Sequence, residues 1–161
     1  MNIFVTNPCP KLSAKALDDK RVIKMILESA QMLSTVIRSK DEQYAESNSL
    51  YKKTHSSHPC VKWTAQSKGN YIWLLKHMEA LLEEYTLRFG KQHKSGTLFA
   101  AFLDFVGRMP ENGLTPFTNC TDFKEVNDVH EAYKKALAAK WKNDKHRPKW
   151  TGASQPEWAQ Q

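Results

Sequence analysis

Apolar side chains recur every three or four residues along most of the chain, which is the spacing of amphipathic α-helices. The pattern predicts a long helix over about 13–38, a second helical region over about 61–89, and two shorter helices over about 98–106 and 122–141. The strict alternation typical of β-strands is nearly absent. We therefore predict an all-α fold, with 1–161 forming one compact domain of about four helices.

Short polar signals indicate where these helices begin and end. Ser13 is a plausible N-cap for the first helix. An interruption of the second helical region is predicted at 69–70, and Gly90 is a natural C-terminal stop. Asp122, with Glu125 three residues later, resembles a capping box that opens the last helix.

Three segments lack helical spacing. The apolar residues 3–5 indicate an extended strand or a tucked terminus. The polar stretch 39–60 is predicted to be a loop, and the tail over about 143–161, punctuated by proline and tryptophan, is predicted to be irregular.

The composition is that of an ordinary globular protein, with 40% hydrophobic and 25% charged residues among 161. No segment approaches the ~20 apolar residues that span a bilayer, and the N-terminus has no signal-peptide pattern. Cys9, Cys60 and Cys120 are odd in number and far apart, which argues against a disulfide framework. We therefore predict a cytoplasmic, reducing location.

A formal net charge of +7 favours a polyanionic partner, and DNA is the first candidate. Cations and aromatic rings alternate in the tail, where Lys145 and Arg147 could bind phosphates and Trp150 could stack on a base. The alternative is a solubilising tail that Trp150 fastens to the core.

The first candidate for chemistry is a charged stripe on the first helix. Arg21, Lys24 and Glu28 fall together at one edge of its apolar face. A carboxylate between cations stays ionised at neutral pH and could stabilise a developing positive charge or take a proton. The alternative is a solvated helix face with ordinary i,i+3 and i,i+4 ion pairs.

The second candidate is the run that contains His55, His58 and Cys60. Two imidazoles and a thiol could ligate Zn²⁺, but a structural site needs a fourth ligand, and none is visible. We therefore predict no metal and no cofactor. His58 precedes a proline and is expected to cap a helix or contact phosphate, and it is also a candidate catalytic residue. Both histidines are candidates for contact with a substrate backbone.

The third candidate cluster lies on and just beyond the second helical region. It could be a carboxylate in an arginine-rich cleft, with Glu84 as a catalytic group and the others binding substrate, or it could be a solvated helix end. Its members are Asn70, Tyr71, Glu84, Arg88, Lys91 and His93.

Five sequence pieces together resemble a family of short proteins from tailed phages and some bacteria. They are MNIFV at 1–5, DKxVxKMxLE at 19–28, HxxHPCxxW at 55–63, NYxWL at 70–74 and EYxxRxGKxH at 84–93.

The layout is also similar to the pyrimidine dimer DNA glycosylases of the phage endonuclease V type. Those proteins use the N-terminal amine as nucleophile beside a helix glutamate, which Glu28 matches, and their Arg-Pro-x-Trp is matched at 147–150. Arg21 stands where the family has histidine, and Leu27 where it has arginine. The family exposes a threonine amine after Met removal, whereas a second residue such as Asn2 is expected to leave the first methionine in place.

The resemblance implies an enzyme that acts on a flipped DNA base, an N-glycosylase with or without lyase activity. In this hypothesis Glu28 stabilises an oxocarbenium-like or imine intermediate, and Arg21 and Lys24 clamp a phosphate or tune Glu28. Two alternatives stay open: a transferase that modifies a phage DNA base, and a non-enzymatic protein that masks DNA or inhibits a host factor. An enzyme should gather Glu28, His58 and either Glu84 or Arg88 around one concave pocket, whereas a binding protein should present a flat basic face.

Overall fold

The computed structural model describes residues 1–160. Within this range the backbone forms seven α-helices and three short 3₁₀ turns, and no β-strand. The all-α prediction is therefore confirmed, although four helices were too few. The helices are α1 Pro10–Lys15, α2 Asp19–Lys40, α3 Glu42–Ser47, α4 Pro59–Gln66, α5 Lys68–Phe89, α6 Phe99–Asp104 and α7 Val129–Asn143, and the 3₁₀ turns are Lys94–Leu98, Val106–Arg108 and Glu157–Ala159.

The predicted first helix is two helices, α1 and α2, separated by residues 16–18. Pro10 starts α1 at the position where a missing N–H costs nothing. The prediction of Ser13 as an N-cap is wrong, because Ser13 is buried inside α1 and its hydroxyl donates to the carbonyl of Asn7. The polar stretch predicted as a loop contains α3.

The break in the second helical region falls at Ser67, not at 69–70. The hydroxyl of Ser67 caps α5 by accepting from the backbone N–H of Asn70. Gly69 lies inside α5, and a Cβ there would stand 2.3 Å from the backbone nitrogen of Leu114. This glycine therefore permits close packing and does not break the helix. The predicted stop is confirmed, since Gly90 ends α5 with φ 66°.

The last helix begins later than predicted. Asp128 caps α7 by accepting from the backbone N–H groups of His130 and Glu131, so the capping box at 122–125 is wrong. The residues before it are held by local side-chain turns, in which Asn119 accepts from the backbone of Thr121. Apart from one 3₁₀ turn, 144–160 is irregular, as predicted.

The two long helices α2 and α5 pack against each other at the centre of the molecule, and α1, α3, α4 and α6 surround them. The N-terminal segment Ile3, Phe4 and Val5 is buried without forming a strand, so it is a tucked terminus. Burying an aliphatic or aromatic side chain contributes about 1.5–3 kcal/mol, so this segment fixes the chain start firmly.

The C-terminal tail is fastened to the joint between α1 and α2. The indole N–H of Trp150 donates to the carbonyl of Ala16 at 3.1 Å, and the backbone N–H of Asp19 donates to the carbonyl of Lys149 at 2.8 Å. Trp150 also packs edge-on against Trp141, with ring centroids 5.2 Å apart. The prediction that Trp150 stacks on a DNA base is therefore not supported, because its ring and its N–H are used within the fold.

Among the described residues, 1–160, no helix is both long enough and apolar enough to cross a membrane.

Candidate active site

A cavity of about 700 Å³ lies at the N-terminal half of α2, between two walls from distant parts of the chain. The first wall includes Met1, Asn2, Lys20, Arg21, Lys24 and Glu28. The second wall includes Cys120, Thr121, Asp122, Phe123, Lys140 and Asp144.

Glu28 lies at the centre of the first wall. One of its carboxylate oxygens, Oε2, accepts from the backbone N–H of Asn2 at 3.1 Å and lies 3.8 Å from the α-amine of Met1. The other oxygen lies 3.6 Å from Nζ of Lys24. The carboxylate therefore has one backbone donor and two cationic neighbours, and its side chain is 12% exposed at the cavity.

The position of the α-amine follows from how the first residues are anchored. The Met1 side chain is only 3% exposed. The side chain of Asn2 accepts from the backbone N–H of Phe4, which adopts φ 43°. A left-handed conformation costs a residue with a Cβ about 1–2 kcal/mol. The buried side chains of 3–5 hold this turn, and it directs the amine toward Glu28.

Arg21 joins the two walls. It donates to Asp18, the residue before α2, and to both carboxylate oxygens of Asp144, the residue that follows α7. Burial opposes the charge of Arg21, but Asp144 and Asp18 outweigh it and raise its pKa. Hydrogen bonds from Arg21 and then Lys20 lower the pKa of Asp144 to about 2. The donors of Arg21 are thus committed to the fold, which does not favour the predicted phosphate clamp.

His58 lies at the start of α4, beside the first wall. Its Nδ1 accepts from the backbone N–H of Cys60 at 3.1 Å, so the predicted helix cap is confirmed. Burial, and then the positive charge of the Met1 amine, lower the pKa of His58, which leaves the ring neutral at pH 7. His55 is exposed and bonds to the hydroxyl of Thr54.

One group near the cavity could hold a metal ion. Ligand atoms of His58, Cys60 and Cys120 lie within 4.8 Å of one another. However, the Nδ1 of His58 accepts a backbone N–H, so the other ring nitrogen carries the proton of the neutral ring. The imidazole could ligate a metal only by leaving its capping position. That no metal is bound stays a prediction.

Asn70 and Tyr71, which were predicted to bind substrate, are fully buried. The amide of Asn70 donates to the carbonyl of Trp63 and exchanges hydrogen bonds with Thr115. The hydroxyl of Tyr71 donates to the carbonyl of Phe102 at 2.6 Å. Both side chains therefore hold the core together, and the prediction that they bind substrate is wrong.

Glu84 and Arg88 are also outside the cavity. Arg88 is buried and donates to Glu84 at 3.0 Å, to the carbonyl of Leu17 at 2.8 Å and to Asp19 at 3.1 Å. This network fastens α5 to the joint between α1 and α2. The predicted roles of Glu84 in catalysis and of Arg88 in substrate binding are therefore not supported.

The two residues that follow α5 also lie away from the cavity. Lys91 is exposed, and His93 caps a 3₁₀ turn, with its pKa lowered by burial, beside a separate groove. Lys145 and Arg147 are exposed on the tail.

Sequence reasoning missed the whole second wall. Cys120, Lys140 and Asp144 lie far along the chain from Glu28, and no local spacing connects them to it. Only the tertiary structure brings them to the cavity.

Part of the chain matches a known protein family. The family model described as pyrimidine dimer DNA glycosylase matches residues 1–96. The matched range contains the first wall of the cavity and none of the second. No curated protein and no solved structure matches the chain.

Proposed function

The chain belongs to the pyrimidine dimer DNA glycosylase family, and from this premise we propose that it cleaves the N-glycosidic bond of a pyrimidine nucleotide with the α-amine of Met1 as nucleophile. Family membership implies a DNA glycosylase and therefore DNA as its partner. The nucleophile, the extrusion of a nucleotide from the duplex and a lyase step are parts of the proposal.

A single observation carries the assignment of the nucleophile. The Met1 nitrogen lies 3.8 Å from Oε2 of Glu28 on the wall of a cavity, and the backbone N–H of Asn2 donates to the same oxygen. A nucleophile beside an oriented carboxylate at a concave surface is the usual arrangement for covalent catalysis.

In the proposed step, the amine of Met1 first releases a proton to solvent and then bonds to C1′ of the target deoxyribose. The glycosidic bond breaks, and its electron pair leaves with the base. The nitrogen then loses a proton to Glu28, the C1′–O4′ bond breaks, and Glu28 gives that proton to O4′ and becomes a carboxylate again. The product is a protonated imine between Met1 and C1′. Glu28 stabilises its positive charge, and elimination of the 3′ phosphate from it would be the lyase step.

Exposed cations around the cavity are suited to hold the DNA backbone. Lys24, whose side chain is 64% exposed, and Lys140 are both on the cavity wall. Lys145 and Arg147 extend the positive surface along the tail. Arg21 acts as a positioning residue, since it fixes the second wall through Asp144. Burial, and then the positive charge of Met1, lower the pKa of His58, which favours its neutral ring.

The cavity favours an enzyme over the masking or inhibitory binding protein, for which a flat basic face is expected. The Met1 amine and the Glu28 carboxylate are on its wall, although His58, Glu84 and Arg88 are not among its lining residues. No contact favours group transfer over base release, so the transferase is kept only as an outcome of the experiment.

Borohydride trapping tests the proposal. The protein is incubated with ultraviolet-irradiated or undamaged duplex DNA and sodium borohydride, which reduces an imine to a stable adduct. We expect a covalent adduct with irradiated DNA, mapped by peptide mass to Met1. In a variant extended by two residues before Met1, the amount of adduct should fall by at least ~100-fold, the scale for a displaced catalytic group. The control variant Lys91→Gln should form as much adduct as the wild type.

Three outcomes would contradict the proposal. An adduct on Lys24 would move the nucleophile to another residue, and base release without any adduct would exclude an imine. Transfer of a group onto the base, detected as a gain in its mass, would favour the transferase.

A further inference from the structure

Two thiols meet beside the cavity, one on its second wall and one on α4. The Sγ atoms of Cys60 and Cys120 are 3.2 Å apart. Cys60 belongs to α4 and is fully buried, whereas Cys120 is half-buried and lines the cavity. The pair is thus closed on one side by the core and open to the cavity on the other, where a small molecule can reach Cys120.

The fold holds Cys120 in this position through Tyr133 on α7. The hydroxyl of Tyr133 donates to the carbonyl of Thr118 at 2.8 Å and accepts from the backbone N–H of Cys120 at 3.2 Å. Tyr133 itself is fully buried. Tyr133 therefore fixes the segment that carries Cys120, and with it the position of the Cys120 sulfur beside Cys60.

The two thiols differ chemically. The hydrogen bond from Cys60 lowers the pKa of Cys120, with further help from Tyr133, and the same contact together with burial raises the pKa of Cys60. Cys120 is therefore the thiol of the pair that ionises more readily, and Cys60 is the one that holds its proton more tightly. A partly exposed thiolate beside a second thiol is the arrangement of a reactive cysteine with a resolving partner.

We propose that Cys120 and Cys60 are a site of reversible oxidation, at which a peroxide attacks Cys120 and a disulfide to Cys60 follows. The Cys120 sulfur bonds to one oxygen of hydrogen peroxide, the O–O bond breaks, and hydroxide leaves with a sulfenic acid on Cys120. The Cys60 sulfur then bonds to the Cys120 sulfur, the S–O bond breaks, and the Cys60 proton leaves with the hydroxyl group as water. Two electrons pass from the sulfurs to the peroxide, and a thiol reductant reverses the change.

The geometry favours this oxidation over a zinc site made by the same cysteines and His58. Two thiolates on one tetrahedral Zn²⁺, each at ~2.3 Å, would stand about 3.8 Å apart, whereas a disulfide needs about 2.0 Å. The observed 3.2 Å lies between these two distances and does not decide between them. His58 decides, because it would have to leave its capping position on α4 to ligate a metal.

Oxidation would join the second wall, through Cys120, to α4. Any effect of this oxidation on DNA cleavage rests on the proposed function, whereas formation of the disulfide is independent of it. Its test therefore uses peptide mass and thiol counts, needs no DNA, and succeeds or fails independently of the glycosylase assignment.

In the experiment, the reduced full-length protein is treated with hydrogen peroxide, alkylated and digested without reductant. We expect a Cys60–Cys120 peptide pair, loss of two titratable thiols, and recovery of both with dithiothreitol. The pair should form at least ~10-fold faster in the native protein than in urea, because the fold holds the sulfurs together. Cys9→Ser should behave like the wild type, whereas Cys60→Ser should accumulate a sulfenic acid on Cys120 that dimedone traps.

Several results would overturn the proposal. One is a pair that forms no faster in the native protein than in urea, and another is cross-linking that runs through Cys9 between chains. A third is one equivalent of zinc in the purified protein, with both thiols unreactive until a chelator removes the metal, which would assign the cysteines to a metal site.

Discussion

Glu28 and Glu84 lie on two long helices, and each has a basic residue four positions away, but the fold places them in different environments. Glu28 on α2 follows Lys24 by four residues, and Glu84 on α5 precedes Arg88 by four. Both patterns predict a carboxylate with a cation on one helix face. In the structure one faces a cavity and the other faces the interior.

The difference lies in how completely the charged partners are satisfied. Arg88 is 1% exposed and donates to two carboxylates and to backbone carbonyls, so the Glu84 cluster is closed. The Glu28 cluster is open, since its cationic neighbours stand 3.6 and 3.8 Å away and the cavity lies beside it. A closed cluster holds a fold together, whereas an open one can accept a substrate.

Arg88→Met should have the largest effect, and it tests the closed cluster. Removing the guanidinium leaves Glu84 and Asp19 without their buried partner, so we expect a loss of about 3–5 kcal/mol in the free energy of unfolding. Urea-induced unfolding measures it. A variant that is as stable as the wild type but inactive would instead place Arg88 in the active site.

Glu28→Gln tests the open cluster. The substitution keeps the shape and removes the charge, so we expect turnover on irradiated DNA to fall by at least ~100-fold, with folding and DNA affinity nearly intact. Glu84→Gln is the matched control, and it should lower the melting temperature but leave the turnover of the folded protein near the wild-type value. If Glu28→Gln turns over at the wild-type rate, Glu28 is only structural.

The salt dependence of DNA affinity should show whether the cavity side of the protein contacts the DNA phosphates. We expect the affinity of the wild type to fall by roughly tenfold or more between 50 and 200 mM salt, as release of counterions from several phosphate contacts requires. Lys24→Gln and Lys140→Gln should each make the slope of log affinity against log salt shallower by about 0.9. Lys91→Gln, away from the cavity, should not change the slope, and an equal change in all three variants would contradict the assigned face.

Asp144→Asn tests the link between the two cavity walls and should have the smallest effect. Because the pKa of Asp144 is lowered in the fold, its stabilisation is present above the pKa of the unfolded chain, near 4, and is lost as the pH falls toward 2. At pH 7 the variant should be less stable by about 1 kcal/mol or less, as for a partly exposed pair. Thermal melts should show the difference shrinking between pH 4 and pH 2, and a constant difference would exclude the ion pair as its cause.

Much of the fold could be predicted from local patterns. The helical spacing and the stop at Gly90 depend on neighbouring residues, and both are confirmed. The boundaries at Ser13 and Asp122 failed because Pro10 and Asp128 offered better starts. Gly69 was misinterpreted because its close neighbour, Leu114, is distant in sequence.

The candidate site could be predicted only in part, because local spacing does not show contacts between residues that are distant in sequence. Glu28, Lys24 and Arg21 share one helix, so spacing alone grouped them, and the cavity wall contains all three. Spacing could not show that Arg21 donates its hydrogen bonds to Asp144, or that Tyr71 is buried. Both facts depend on the other side of the fold, which no local pattern describes.

The split of the cavity between the two ends of the chain has a consequence for protein synthesis. Met1 and Glu28 leave the ribosome early, but Asp144 and Lys149, which secure the second wall and the tail, leave late. Such contacts between distant residues form only after both partners have been made. A nascent chain therefore carries the amine and the carboxylate without an enclosed cavity around them. Synthesis interrupted before α7 yields a fragment with both groups but no complete site for DNA.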